Sequence, residues 1–277
     1  MSSHSTSTTP RRDQQTLHDV AASRLIRQFP AGISLRYEAN NDQLERFILE
    51  NTLITYVMFN FRDAMDLVEE HRSLNAYLSD WQVPIVTATE DDNILKNRTR
   101  DNIRYLLERI QPAIYIPDAG KVYGNDPKWK QRGGLQEYRI RVDWVLNEIE
   151  REEWEIQVLP LAKAMEPWQF KQMLPWYREH EFQDFAFYTR QYCNHGNRIN
   201  VLRDHMNNLV DIVDPNNIFA IARHGRTHLK KLPSRVNGAS GIRQFFINCD
   251  YDNDQFEQWR ADLESNALNA GGDLLEY

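Results

Sequence analysis

The stretch IRYLLERIQPAIYIPD, residues 103–118, contains both patterns on which the fold prediction depends. Its first half has apolar residues at the spacing of one helix face: Ile103, Leu106, Leu107 and Ile110. Its second half, Ala113–Pro117 (AIYIP), is a short, continuous apolar run, which is typical of a parallel strand buried on both faces. The stretch therefore predicts a helix followed by a buried strand.

The same alternation continues along the chain. Five further apolar runs predict strands: Leu53–Phe61, Val83–Thr89, Glu155–Leu161, Asp184–Thr189 and Ile218–Arg223. Ile33–Tyr37 and Arg235–Ser240 are weaker strand candidates. Helical stripes lie between the runs, for example Val142, Val145, Leu146 and Ile149, and Leu202, Met206 and Leu209. About eight strand–helix units predict a single TIM-type (β/α)8-like barrel, and a doubly wound open sheet is the alternative.

The two ends differ in composition from the 16–249 barrel segment. Residues 1–15 are polar and rich in Ser and Thr, which predicts a disordered tail. The acidic segment 250–277 predicts one amphipathic helix around Phe256, Trp259 and Leu263, followed by a Gly-rich tail. We expect no separate second domain.

Composition limits the class of protein. The chain has 277 residues, a net charge of −7 and two cysteines, Cys193 and Cys249, far apart in sequence. This cysteine usage is typical of a reducing cytoplasm, and no stretch has the roughly 20 apolar residues that a membrane span needs. The net charge argues against a surface covered in basic charge, but it leaves room for a local basic patch. The oligomeric state is left open.

In a TIM-type barrel the active site lies at the carboxyl ends of the strands, and this rule selects candidates without any motif. Asp118 follows AIYIP directly, so its carboxylate is expected in the barrel mouth, although an Asp there also caps turns. Other residues that follow predicted strands are Asn60, Arg62, Glu90, Lys163, Arg190, Gln191, Ser240, His224 and Arg226. We predict that Asp118, Lys163, Arg190 and His224 share one cavity.

The segment 223–231, RHGRTHLKK, is the most basic in the chain. It follows a predicted strand and opens a short helix, an arrangement that often binds phosphate in barrels. We therefore predict phosphate or nucleic-acid backbone binding through His224 and Arg226, with a solvated basic loop as the alternative.

Other combinations of residues are weaker. The acidic trio Glu90-Asp91-Asp92 favours a helix N-terminus over a cation site, because adjacent residues do not easily face one ion. Cys193 and His195 are too close on one loop to indicate a nucleophilic pair specifically. Nucleotide-binding GxGxxG and Walker motifs and the hydrolase motifs HExxH and GxSxG are absent from the sequence. We predict neither a metal nor a cofactor.

Four segments carry a resemblance to a known family, and together they cover roughly residues 50–245. They are LITYVMFN, IYIPDAG, IQVLPLAKAMEPWQF and IARHGRTHLKKLPSRVNGASGIRQF. Their order resembles the tRNA-guanine transglycosylase superfamily, especially the DNA-modifying branch that inserts 7-deazaguanine bases. The resemblance implies a base exchange, in which an aspartate attacks the anomeric carbon of guanosine and a second carboxylate reads the base.

Carried onto this chain, the resemblance gives the base-reading role to Asp118. It gives no nucleophile, because the step that should carry an aspartate before a serine is Gly238-Ala239-Ser240, with Ala239 at the expected position. The zinc-binding cysteines of the family are also missing.

Three functions follow as hypotheses: an enzyme acting on a nucleobase or nucleotide of DNA or tRNA, a non-catalytic barrel that binds nucleic acid or a partner, and a barrel enzyme of another class. In the first, Asp118 is the best substitute for the missing nucleophile.

Overall fold

Eight parallel strands form the centre of the structure, a computed structural model that describes residues 29–71, 73–90, 92–192, 198–222 and 225–268. The strands are β1 (Gly32–Arg36), β2 (Tyr56–Asn60), β3 (Val83–Thr87), β4 (Ile114–Ile116), β5 (Gln157–Val158), β6 (Asp184–Tyr188), β7 (Asn217–Ile221) and β8 (Val236–Gly241). The predicted tail at 1–15 lies outside the described residues.

Helices connect the strands and cover them from outside. They are α1 (Asp42–Glu50), α2 (Phe61–His71), α3 (Leu74–Tyr77), α4 (Asp92–Asn97), α5 (Arg100–Ile110), α6 (Lys128–Arg151), α7 (Pro167–Glu179), α8 (Ile199–Val213), α9 (Arg226–Leu229), α10 (Arg243–Asn248) and α11 (Asn253–Asn266). The helical stripe of residues 103–110 is buried throughout, as its spacing predicts.

The strand order β5-β4-β3-β2-β1-β8-β7-β6 is that of a (β/α)8 barrel, with the first and last strands adjacent. Between β5 and β6 the sheet closes through one bridge, Leu161 with Ala186. Two backbone hydrogen bonds form this seam: Ala186 N donates to Pro160 O (2.9 Å), and Ala162 N donates to Ala186 O (2.8 Å). The TIM-type barrel predicted from the sequence is therefore confirmed, and the open sheet is not observed.

Strand register decides which side chains face the barrel interior. Arg36 pairs with Met58, and Ser34 and Ile221 both pair with Ser240. Because side chains alternate along a strand and Arg36, Met58 and Ile221 all line the barrel mouth, Ser34 and Ser240 face inward too. The interior near the carboxyl ends of β1 and β8 is therefore polar.

The acidic C-terminal segment forms α11, which packs against β1. Phe256 and Leu263 are fully buried, in agreement with the amphipathic pattern. At the start of β1, Ile33 N donates to Glu264 Oε1 (3.0 Å), and the same oxygen accepts a hydrogen bond from Arg260 (2.8 Å). This helix therefore closes the ring of helices beside β1.

Two glycines let the loop after β4 pass closely over α6. Gly120 has φ +66°, and a Cβ there would lie 2.2 Å from the carbonyl oxygen of Gly134. A Cβ on Gly134 would lie 2.0 Å from the carbonyl oxygen of Lys121. The backbone on both sides is therefore held at a distance that only glycine permits, and this contact fixes the loop that begins with Asp118.

Gly134→Ala is expected to destabilise the protein by about 1–3 kcal/mol, because the new methyl group must displace backbone. Gly133→Ala is the matched control, since its Cβ would meet nothing within 4 Å. In mid-helix that change should instead stabilise by roughly 0.5–1 kcal/mol. Urea unfolding of both variants checks the prediction, which fails if the two alanines shift the midpoint in the same direction.

Candidate functional site

The barrel mouth contains a cavity of about 170 Å3 rich in guanidinium groups. Arg36 comes from β1, Arg62 from the start of α2, and Arg190 from the turn after β6. Polar and apolar side chains complete the lining: Met58, Asn60, Asp63, Thr89, Glu90, Ile94, Tyr188, Ile221 and Ala222. Three arginines against two carboxylates suit the cavity to an anionic group.

The charges in the mouth act on one another. Burial raises the pKa of Asp63, and the guanidinium of Arg36 opposes that rise. Burial also raises the pKa of Tyr188, Arg190 lowers it, and the nearby carboxylate of Asp118 raises it. Arg36 Nε is buried with no hydrogen-bond partner among the described residues. Such an unsatisfied donor is the kind of group that a bound ligand would satisfy.

Asp118 and Lys163 form a buried ion pair at the carboxyl ends of the neighbouring strands β4 and β5. Asp118 Oδ1 lies 2.5 Å from Lys163 Nζ, and the two side chains are 7% and 15% exposed. Burial raises the pKa of Asp118, while the ammonium of Lys163 opposes the rise. The pair therefore presents an oriented carboxylate in a region of low dielectric constant.

Hydrogen bonds from three directions hold the segment that carries Lys163. Leu161 N donates to the hydroxyl of Tyr138 on α6 (2.6 Å), and Ala162 N donates across the seam to β6. Just beyond, Gln169 Oε1 accepts from the amides of Met165 (2.7 Å) and Glu166 (2.8 Å). Lys163 is thus positioned by fixed backbone rather than by a free loop.

A second buried ion pair, Arg98 with Glu90, lies between the mouth and a neighbouring cavity. Glu90 lines the mouth, whereas Arg98 lines the neighbouring cavity together with Asp118. Arg98 also donates to Ala88 O (3.3 Å), and its guanidinium lies 3.7 Å from the ring centre of Phe61. This fixed pair divides the predicted site residues between two adjoining cavities.

The neighbouring cavity, of about 460 Å3, lies between the loop after β4 and the first turns of α6. Its charged and aromatic lining is Arg98, Asp118, Lys121, Trp129, Lys130, Glu137 and Arg141. Asp118 is therefore reached from this side, while Glu90 and Arg190 are reached from the mouth.

The remaining predicted residues lie elsewhere. Gln191 is exposed in the turn after β6. Arg226, at the start of α9, forms an ion pair with Asp262 of α11 (2.9 Å). His224 lies outside the described residues, as do Asp91, Cys193 and His195. Whether the basic segment meets the mouth cavity therefore stays a prediction.

The position at which the resemblance expects a nucleophile faces away from the mouth. Ala239 pairs with Ile33 and Ala220, and alternation places these three on the outer face of the sheet. Ala239 is fully buried there. Its inward neighbour, Ser240, is buried with a hydroxyl that has no partner among the described residues, as is that of Ser34.

Sequence reasoning missed several residues of the two cavities, among them Arg36, Arg98 and Trp129. Arg36 lies in a strand with a weak sequence signal, and Arg98 precedes a helix. The rule that selects residues after predicted strands therefore did not find them. Trp129 lies in the run KVYGNDPKWKQR (121–132), which has four basic and two aromatic residues. Basic residues interleaved with aromatic ones are a signal for nucleic-acid binding that could have found this segment.

Comparison of the chain with protein-family models gives no match, and comparison with curated protein sequences gives none either. Within the described residues, no helix combines the length and apolar character needed to cross a membrane. The same residues contain no group of three or more His, Cys, Asp or Glu side chains that could hold a metal ion.

Proposed function

We propose that this protein is a barrel enzyme that acts on a nucleobase or nucleotide, with chemistry like that of the guanine and 7-deazaguanine transglycosylases. The observation that carries the proposal is the Asp118–Lys163 pair, at 2.5 Å, whose aspartate lines the cavity that adjoins the mouth lined by Arg36, Arg62 and Arg190. The arginines suit a phosphate group, and the carboxylate suits chemistry on the attached nucleoside.

In this reaction Asp118 replaces the missing nucleophile. One carboxylate oxygen attacks the anomeric carbon as the bond from that carbon to the base breaks, and the base leaves with the bonding electrons and takes up a proton. An incoming base gives up one ring N–H proton, which balances the proton taken up by the departing base, and displaces the carboxylate from the anomeric carbon, so that Asp118 is restored. Lys163 orients the carboxylate and favours its ionised form.

The cysteine usage of the chain agrees with a cytoplasmic setting for this activity.

A non-catalytic nucleic-acid-binding barrel is the second candidate. The observation that favours it is Ala239, which is buried on the outer face where the resemblance expects a nucleophile. The two candidates share the arginine-lined mouth and differ in whether Asp118 performs chemistry.

Guanosine monophosphate should raise the melting temperature more than guanosine does, because only the nucleotide offers a phosphate to the arginines. A ligand at ~100 times its dissociation constant adds roughly 2.7 kcal/mol, which a thermal shift detects. Arg190→Ala should weaken nucleotide binding about ten- to a hundredfold, since hydrogen bonds to charged groups contribute roughly 1.5–3 kcal/mol each.

Arg235→Ala is the matched control, because Arg235 precedes β8 at the opposite end of the barrel and pairs with Asp214 (3.2 Å). It should bind the nucleotide as the unmodified protein does. Equal stabilisation by nucleoside and nucleotide, or equal losses in both variants, would contradict a phosphate site in the mouth.

A further inference from the structure

The cavity beside Asp118 is open on one side to a strongly exposed indole. Trp129, in the first turn of α6, is 74% exposed, the highest fraction among the large exposed hydrophobic residues of the described chain. One turn further along, a Cβ at Gly133 would meet nothing within 4 Å. The ring therefore borders free space in which a planar group could lie against it.

Positive charge surrounds this indole although the chain as a whole is acidic, with a net charge of −7. The segment 121–132 contains four basic residues and one acidic residue, Asp126, which pairs with Lys130 (2.9 Å). Lys128 and Arg132 both lie over the ring of Trp168, at 5.8 and 5.6 Å. The positive charge is therefore concentrated on one face around the start of α6.

Two further features make this face attractive to anions. The N-terminus of α6 has Pro127 at its cap position and no side-chain hydrogen bond to the first amides, so its partial positive charge is not neutralised by a cap. Deeper in the cavity, burial lowers the pKa of Arg141, and the positive charges of Arg100 and Arg98 act in the same direction. Cations are thus crowded along the path from the surface towards Asp118.

We propose that residues 121–132, with the cavity behind them, are a docking surface for single-stranded nucleic acid, in which one base stacks on Trp129. The basic side chains would contact the phosphate backbone, and stacking on an aromatic ring tolerates any base. A duplex keeps its bases stacked inside the helix, so the exposed indole selects unpaired nucleotides. This inference rests on the proposed function, because a strand held here brings a nucleotide to the cavity that contains Asp118.

The test is fluorescence anisotropy of a labelled single-stranded oligonucleotide of about 15 nucleotides, titrated with the full chain at several salt concentrations. Affinity should fall steeply with salt, because neutralised phosphates release counterions. Trp129→Ala should weaken binding at least about fivefold, the lower range for loss of one stacked base, and Trp129→Phe should restore part of it. A duplex of the same sequence should bind more weakly than the single strand.

Trp81→Ala is the matched control, because Trp81 is also exposed, at 40%, but precedes β3 at the other end of the barrel. Lys130→Glu should weaken binding, whereas Arg235→Glu, which precedes β8 at the other end of the barrel, should not. Unchanged affinity in Trp129→Ala, equal losses in both tryptophan variants, or no binding to any single strand would each overturn the proposal.

The two proposals fail separately. Strand binding that depends on Trp129, in a protein without base-exchange activity, would support the docking surface and contradict the enzyme. Base exchange that depends on Asp118, with strand affinity indifferent to Trp129, would support the enzyme and overturn the docking surface.

Discussion

Replacing Lys163 by methionine is expected to lower the free energy of unfolding by about 3–5 kcal/mol at neutral pH, the typical cost of removing one partner of a buried ion pair. Asp118 Oδ1 lies 2.5 Å from the lysine nitrogen, and both side chains are largely buried. Methionine retains much of the packing volume, so the loss would come mainly from the carboxylate that is left without its counter-charge.

The pH dependence of this loss tests its origin. Burial already raises the pKa of Asp118, and removal of Lys163 should raise it further, because the ammonium opposes the rise. An acid whose pKa is higher in the folded state favours folding below its unfolded pKa, and that contribution is lost as pH rises through the folded pKa. The destabilisation should therefore be small near pH 4 and reach its full size by pH 8.

Urea unfolding at the two pH values measures the effect. The double variant Asp118→Asn with Lys163→Met removes both charges and should be more stable at pH 8 than Lys163→Met alone. If the single variant were equally destabilised at both pH values, and the double variant no better, Lys163 would stabilise the barrel by packing and not by charge.

Asp118→Asn is expected to reduce base exchange at least about a hundredfold, because the amide can neither attack the anomeric carbon nor accept a proton. Incorporation of labelled guanine into tRNA and into duplex DNA measures the activity. Asp184→Asn is the matched control, since Asp184 begins β6 at the opposite end of the barrel, where it accepts a hydrogen bond from Asn217 (2.8 Å).

Exchange that survives Asp118→Asn would show that another residue is the nucleophile. No exchange by the unmodified protein on either substrate would support the non-catalytic candidate. A melting temperature measured for each variant separates loss of chemistry from loss of fold.

Most of the fold could be predicted because parallel strands that are buried on both faces appear in the sequence as short apolar runs. The two strands with the weakest sequence signal, β1 and β8, carry polar residues that face the barrel interior: Ser34, Arg36 and Ser240. Their weakness as sequence signals and their place at the mouth have one cause, since a site needs polar groups where a core would have apolar ones. The strand β5 is shorter than its apolar run because only Gln157 and Val158 join the ladder.

The sequence could predict only those residues of the candidate site that come just after a predicted strand. Asp118 and Lys163 come just after the predicted strands Ala113–Pro117 and Glu155–Leu161, and the barrel rule alone places them at one end. Arg98 comes from the turn between two helices, and its position against Phe61 depends on packing that no local pattern encodes. The division into two cavities, which depends on the Arg98–Glu90 pair, was likewise beyond sequence reasoning.

The seam between β5 and β6 gives the barrel a preferred line of opening. Elsewhere neighbouring strands share ladders of two to five paired residues, but here one bridge and two backbone hydrogen bonds hold the edges together. Local opening costs least where the fewest interactions must break at once. Lys163 lies one residue beyond the seam on the β5 side, and Asp118 follows the neighbouring strand β4, so both members of the ion pair stay on the same side of the seam. Each opening of the seam would thus leave the two charges together and admit water to them from the side of β6, so the weakest closure of the barrel also controls how well the ion pair is shielded from solvent.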